Sequence, residues 1–304
     1  RGVIMIITTV GNSELLAKKM ALSLKCKFRL IKVDNFPDKE LYLQFQIKKN
    51  ELKGKKVIIV GSFQPDPNFS LLKLILAAET AKQLGAKKVV LIAPYLGFMR
   101  QDKMFNYGEA VTNKIMSKLI NNSFDKIVTV DTHIHRIKLM KDIFKISAKN
   151  LTANHTISEF IKSKFKNKVK QNNIAIIGPD WESYQWAEVI AKQVGCDVTV
   201  FKKTRFSSRK VREKMIKPIE IKGKDIIIVD DIISTGHTII EATKKVKKLG
   251  AKSVTTICVH GLFVEGAISK IKKSGVKEII TTNSIQRKES KIDLCKLLCE
   301  EIKK

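Results

Sequence analysis

Along the chain, short runs of aliphatic and β-branched residues alternate with longer segments whose apolar positions recur at helical spacing. The runs at 3–9, 27–33, 41–47, 56–61, 88–93, 126–130, 174–178, 198–201, 225–229, 253–259 and 278–281 predict strands. Between them the spacing predicts helices, as at 70–84 and 238–249. Strands that are apolar throughout, alternating with amphipathic helices, predict an α/β chain built from mainly parallel sheets covered by helices.

The pattern is used twice. GKKVIIVGS at 54–62 resembles GKDIIIVDD at 223–231, and LGAKKVVLIAPYLG at 84–97 resembles LGAKSVTTICVHGL at 249–262. A repeated strand–loop–helix–strand unit implies two similarly folded halves. A chain of 304 residues suits two such domains, expected at 1–150 and 151–304.

The repeat isolates the chemistry. Where the second copy has Asp230 and Asp231, the first has Gly61 and Ser62, so the unit folds without the acids. Adjacent carboxylates repel each other and need hydroxyl donors or a cation beside them. The turn that follows supplies hydroxyls from Ser234, Thr235 and Thr238, while Gly236 permits close backbone approach and His237 leads into a helix. Free N–H groups at a helix start bind anions, and the carboxyl ends of parallel strands are where open α/β sheets hold ligands. Acids for sugar hydroxyls beside a phosphate nest describe a sugar-phosphate pocket.

Composition is globular, with 44% hydrophobic and 29% charged residues. The net charge of +29 raises the question of nucleic acid. The lysines, however, are spread over the whole chain, and aromatic residues are not interleaved with them as a base-stacking surface requires. A solvated lysine-rich surface is expected, without a nucleic-acid partner. Arginine, the better bidentate phosphate ligand, is scarce, so the few arginines inside motifs carry more information. Five scattered cysteines fit reduced thiols better than a disulfide framework or a zinc site. The apolar run at 3–7 is far shorter than the roughly 20 residues of a membrane span, and no signal-peptide pattern is present. A cytoplasmic location with no membrane partner is expected.

The hydrophobic run, Asp-Asp and Thr-Gly turn resemble the phosphoribosyl pyrophosphate loop of type I phosphoribosyltransferases. Further stretches narrow the resemblance to the ribose-phosphate pyrophosphokinase family: FPDKELYLQF at 36–45, PYLGFMRQDKMFNYGEA at 94–110, VTVDTHIHRI at 128–137, IIGPDWESYQWAEVIAK at 176–192, FKKTR at 201–205 and CVHGLFVEGA at 258–267. They follow the family's order and span nearly the whole chain. The resemblance implies two tandem phosphoribosyltransferase-like domains and transfer of the pyrophosphoryl group of magnesium-bound ATP to ribose 5-phosphate. It assigns Arg100 and Gln101 to ATP, His133 and Asp180 to the Mg²⁺ assembly, and Asp230, Asp231, Ser234, Thr235, Gly236, His237 and Thr238 to the sugar phosphate. Lys203 and Arg205 would lie on a mobile loop closing over the transferred phosphates. Phe36, Asp38 and Glu40 would reach the adenosine of a neighbouring subunit, which implies a homo-oligomer, dimer or hexamer.

Two positions depart from the commoner family form. Trp181-Glu182-Ser183 replaces the small residues usual after Asp180, a pattern similar to the Asp-x-Glu-Ser-x-Gln-Trp of some bacterial members. His237 stands where the loop usually has glycine, so its ring must point out of the pocket or contact phosphate. Three alternatives stay open: a non-catalytic regulatory homologue, a phosphoribosyltransferase consuming phosphoribosyl pyrophosphate, and a nucleic-acid-binding protein, which rests on charge alone. Lys203, Arg205 and both acids speak against the first, and the motifs around Arg100 and Phe36 against the second.

Overall fold

The structure is a computed structural model describing residues 4–134, 139–207 and 210–304, with no side chain described between 202 and 214. It resolves into two compact units. The first comprises residues 1–152, 284–286 and 294–304, and the second 153–283 and 287–293.

The first unit runs β1 (Met5–Thr9), α1 (Glu14–Ser23), β2 (Lys27–Phe28), β3 (Ile31–Asn35), β4 (Leu41–Phe45), β5 (Lys56–Val60), α2 (Pro67–Gln83), β6 (Lys88–Ala93), α3 (Thr112–Ser123), β7 (Lys126–Val130) and β8 (Ser147–Leu151). Its sheet is wholly parallel, in the order β2-β1-β5-β6-β7-β8. The central strands are buried along nearly their whole length, because helices cover both faces of such a sheet. The start of α2 is fixed by its own sequence: Asp66 accepts the Phe69 N–H at 3.0 Å, and Pro67 occupies the first turn. The strand expected at 27–33 divides. Lys27–Phe28 stays on the sheet edge, whereas β3 and β4 form a separate antiparallel hairpin.

The second unit runs α4 (Asn154–Lys164), α5 (Lys166–Lys170), β9 (Ile174–Gly178), α6 (Tyr184–Val194), β10 (Asp197–Ser207), β11 (Lys210–Met215), β12 (Asp225–Ile233), α7 (His237–Lys248), β13 (Ser253–Gly261), α8 (Ala267–Lys273), β14 (Glu278–Thr282) and β15 (Ser290–Ile292). Its sheet order is β11-β10-β9-β12-β13-β14-β15, parallel except for the β10–β11 pair. The last helix, α9 (Cys295–Lys303), belongs to the first unit.

The repeat is real at the level of hydrogen bonds. β1-β5-β6-β7 in one sheet matches β9-β12-β13-β14 in the other. Gly54 N–H donates to the Gly85 carbonyl at 2.8 Å, and Gly223 N–H to that of Gly250 at 2.9 Å. Lys87 likewise donates to Lys55, and Lys252 to Lys224. Among the described residues no helix is long and apolar enough to cross a membrane.

Candidate active site

In the second unit the carboxyl edge of the sheet gathers the acids. β12 runs past its expected end at residue 229, so Asp230 and Asp231 sit within the strand, half-buried, before it ends at Ile233. The Asp231 N–H donates to the Asp230 carboxylate at 3.0 Å, and the Ile232 N–H to that of Asp231 at 2.8 Å. Burial pushes the Asp230 carboxyl well above the usual carboxylate range, and the charges of Asp231 and Asp180 push it further. Among the described residues no lysine or arginine pairs with Asp230.

The turn has the geometry an anion nest needs. Gly236 adopts φ +78°, and a Cβ there would lie 2.7 Å from Ile271 Cδ1, so both backbone and space require glycine. α7 starts at His237 with no side-chain cap, leaving its first-turn N–H groups without intrahelical partners. His237 has an ordinary negative φ; its exposed ring lies 3.2 Å from Glu241, turned along the helix. Ser234 and Thr238 are half-buried and Thr235 is exposed.

Asp180 follows β9, the neighbour of β12. Its carboxylate accepts the Ser183 N–H at 3.1 Å, and Ser183 Oγ donates back to the Asp180 carbonyl at 2.8 Å. The Trp181-Glu182-Ser183 departure therefore closes the turn on itself, with Trp181 exposed and stacked on Tyr184 at 5.7 Å. Lys203 and Arg205 correct an expectation. The segment read as a loop is a hairpin: β10 continues beyond β9, pairing Lys203 with Glu213 and Arg205 with Val211 on β11. Alternation there is charged rather than apolar, which hid the strand from its pattern.

In the first unit the matching edge holds Arg100 and Gln101 after β6 and His133 after β7. Arg100 is exposed, and the Gln101 carbonyl accepts the Asn113 N–H at the start of α3. His133 follows Asp131, whose φ of +37° turns the chain away from the strand. His135 lies outside the described residues. Phe36, Asp38 and Glu40 lie elsewhere, at the exposed tip of the β3–β4 hairpin. There Phe36 meets Tyr42 edge-on at 5.5 Å, and the Glu40 N–H donates to Asp38 at 3.1 Å. The position equivalent to Asp230 is closed: a Cβ on Gly61 would meet Leu74 of α2 at 2.8 Å. The acid pair thus has no counterpart at this position of the first unit.

Residues 5–123 match the N-terminal domain of ribose phosphate pyrophosphokinase, and residues 147–292 match the phosphoribosyl transferase domain. A ribose-phosphate pyrophosphokinase of Methanobrevibacter smithii is 33% identical, the alignment covering 96% of this chain and 97% of that one. The chain belongs to the ribose-phosphate pyrophosphokinase family. It is therefore an enzyme, as the resemblance implied. Ribose-phosphate pyrophosphokinase 2 of Archaeoglobus fulgidus is 35% identical over 96% of this chain and 97% of its own. The fold matches that of phosphoribosylpyrophosphate synthetase from Mycobacterium smegmatis, with a TM-score of 0.83 over 99% of this chain and 98% of that one at 22% identity. Two phosphoribosyltransferase-like domains are thus the architecture of this pyrophosphokinase. Residues 262–264 carry no site role that is legible in the sequence. Their N–H groups donate to the Ile233 and Ser234 carbonyls at 2.9–3.1 Å, and the CVHGLFVEGA stretch was their only signal.

Proposed function

We propose that this pyrophosphokinase transfers the pyrophosphoryl group of magnesium-bound ATP to the anomeric hydroxyl of ribose 5-phosphate, giving phosphoribosyl pyrophosphate and AMP. One observation carries the reading: a half-buried acid pair lies beside an uncapped helix start in the second unit, at a position the first unit fills with Leu74. Asp230 and Asp231 accept hydrogen bonds from the ribose hydroxyls. The hydroxyls of Ser234, Thr235 and Thr238, with the first amides of α7, hold the 5-phosphate. Gly236 lets that phosphate lie against the backbone, and His237 contributes its amide rather than its ring.

Such transfer asks chiefly for alignment and neutralised charge. Lys203 and Arg205 meet the transferred phosphates, and Arg100 and Gln101 the rest of ATP. His133 and Asp180 serve the magnesium assembly. The donor set fits that ion, since Asp180, Asp230 and Asp231 are oxygen ligands whose mutual repulsion a divalent cation relieves. Mg²⁺ generally keeps several waters and is held by one or two carboxylates together with substrate phosphates, a mode that acids at this edge can serve. When bound, magnesium screens the phosphate charge against which the sugar oxygen attacks.

The exposed hairpin tip bearing Phe36, Asp38 and Glu40 suits contact with the adenosine of a second copy, in a dimer or hexamer. Sedimentation should show an assembly under assay conditions, and a fully active monomer would contradict it. The central test is incubation with ATP, Mg²⁺ and ribose 5-phosphate. AMP formation should require the sugar; AMP that forms equally without it, or not at all, defeats the reading.

A further inference from the structure

The segment 262–264 lies between the proposed sugar-phosphate loop and an arginine that the function does not use. The N–H groups of Leu262 and Phe263 both donate to the Ile233 carbonyl, at 2.9 and 3.1 Å, and that of Val264 donates to the Ser234 carbonyl at 3.1 Å. Ile233 ends β12 and Ser234 opens the loop, so this segment sets where the loop begins. Its own backbone is disfavoured, for Phe263 has φ +48° and Glu265 φ +54°, a region bulky residues rarely enter. Such conformations persist only where surroundings over-determine them.

Arg287 supplies the determination. Its Nη2 donates to the Leu262 carbonyl at 2.6 Å, and its guanidinium carbon lies 5.7 Å from the centre of the Phe263 ring. Its own backbone is pinned in the turn between β14 and β15, where its N–H donates to Ser290 Oγ at 3.0 Å. Its Nε is buried and makes no hydrogen bond. A lysine could place a charge here but could not both lie over a ring and point a planar donor at a carbonyl.

We propose that Arg287 is a positioning residue for the sugar-phosphate loop, bracing residues 262–264 so that their amides hold Ile233 and Ser234 in register for the 5-phosphate. This rests on the reading of loop 234–238 as the ribose 5-phosphate site.

The test compares full-length protein with Arg287→Met, Arg287→Lys and Phe263→Leu. In Arg287→Met the amides of Leu262, Phe263 and Val264 should exchange hydrogen at least about tenfold faster, while those of Ile227 and Ile228 keep their wild-type rates. KM for ribose 5-phosphate should rise about tenfold, with KM for ATP and kcat changed less than about threefold. Arg287→Lys should fall between, and Phe263→Leu should shift KM the same way with Arg287 intact. If Arg287→Met does not fold, Arg287→Lys carries the same comparison. Unchanged exchange at 262–264 overturns the brace. So does faster exchange throughout β12, or a loss of kcat with KM unchanged, since either marks general stability alone. Wild-type protein that neither binds ribose 5-phosphate in calorimetry nor turns it over defeats the functional reading instead, and exchange alone then decides the brace.

Discussion

β12 opens on Asp225 and carries Asp230 five residues on, and their neighbours treat the two acids oppositely. Burial opposes the charge of Asp225, but the Ser253 hydroxyl and the Lys168 ammonium at 2.9 Å outweigh it and hold the carboxyl below its ordinary value. Asp230 has no such cation among the described residues, and its neighbours include Asp231 and Asp180. With its pKa raised on folding, Asp230 supports the fold when protonated. That support is complete below the ordinary value of 3.8 and is lost as pH rises through the folded value. At neutral pH, above the ordinary value, folding must either protonate the group or bury its charge, and both cost stability. Replacing Asp230 and Asp231 by Asn should raise the melting temperature at pH 7.5 by roughly 2 °C or more, the effect of about 1 kcal/mol in a unit this size. The gain should vanish near pH 3. Turnover should fall about a hundredfold or more, because positioning and electrostatic contributions in such sites reach several kcal/mol. Calorimetry and an AMP assay on the same preparation check both. A less stable variant with near-normal turnover would make the pair architectural.

Among the elements, the loop from β12 into α7 is the most tightly specified. Gly236→Ala meets both a left-handed backbone and Ile271 Cδ1 at 2.7 Å, so a loss of about 1–3 kcal/mol is expected. Denaturant unfolding measures it in a double-mutant cycle with Ile271→Ala, which removes both the Cδ1 and the Cγ1 that a Cβ would meet at 2.7 and 2.8 Å, so the cost of Gly236→Ala should shrink there but not vanish. An unchanged cost would mean that backbone strain alone sets it. This loop was legible in the sequence because its chemistry departs from its own repeat: Asp-Asp stands where Gly-Ser would serve the fold. The buried central strands were legible too, as unbroken apolar runs. Edge elements were not. Ser147–Leu151 is mostly exposed and reads SAKNL, Lys210–Met215 reads KVREKM, and Ser290–Ile292 is three residues long. Such strands are fixed by the edge they join rather than by a pattern of their own. The same limit hid Leu74 beneath Gly61 and the amides of 262–264 behind Ser234, since both are contacts between distant segments. Residue types named the chemistry; only the folded backbone shows what holds it in place.

At the scale of the whole chain, the repeat boundary and the folding boundary differ. Residues 284–286 belong to the first unit although 287–293 still complete the second, and 294–304 return to the first. α9 buries Leu298, Cys299 and Ile302 there, and Lys126 at the start of β7 holds the buried Glu301 carboxylate at 2.6 Å. The Cys299 thiol also reaches the Met20 carbonyl of α1. Burial of Leu298 and Ile302 alone contributes about 3–6 kcal/mol, a large share of the 5–15 kcal/mol typical of a domain. Ending the chain after Asp293 removes all of this while leaving every strand of both sheets. Amide exchange should then quicken by orders of magnitude in β1, β5 and α1, whereas β9, β12 and β13 keep their protection. Lys126→Met in the full chain should act in the same direction, because it leaves the buried Glu301 carboxylate only the exposed Lys304 ammonium at 3.8 Å, a loss approaching the roughly 3–5 kcal/mol of a stranded buried charge. Adding Glu301→Gln should restore much of that loss by removing the stranded charge. If truncation instead weakens protection equally in both units, the last helix acts on the molecule as a whole, and the first unit does not depend on it in particular.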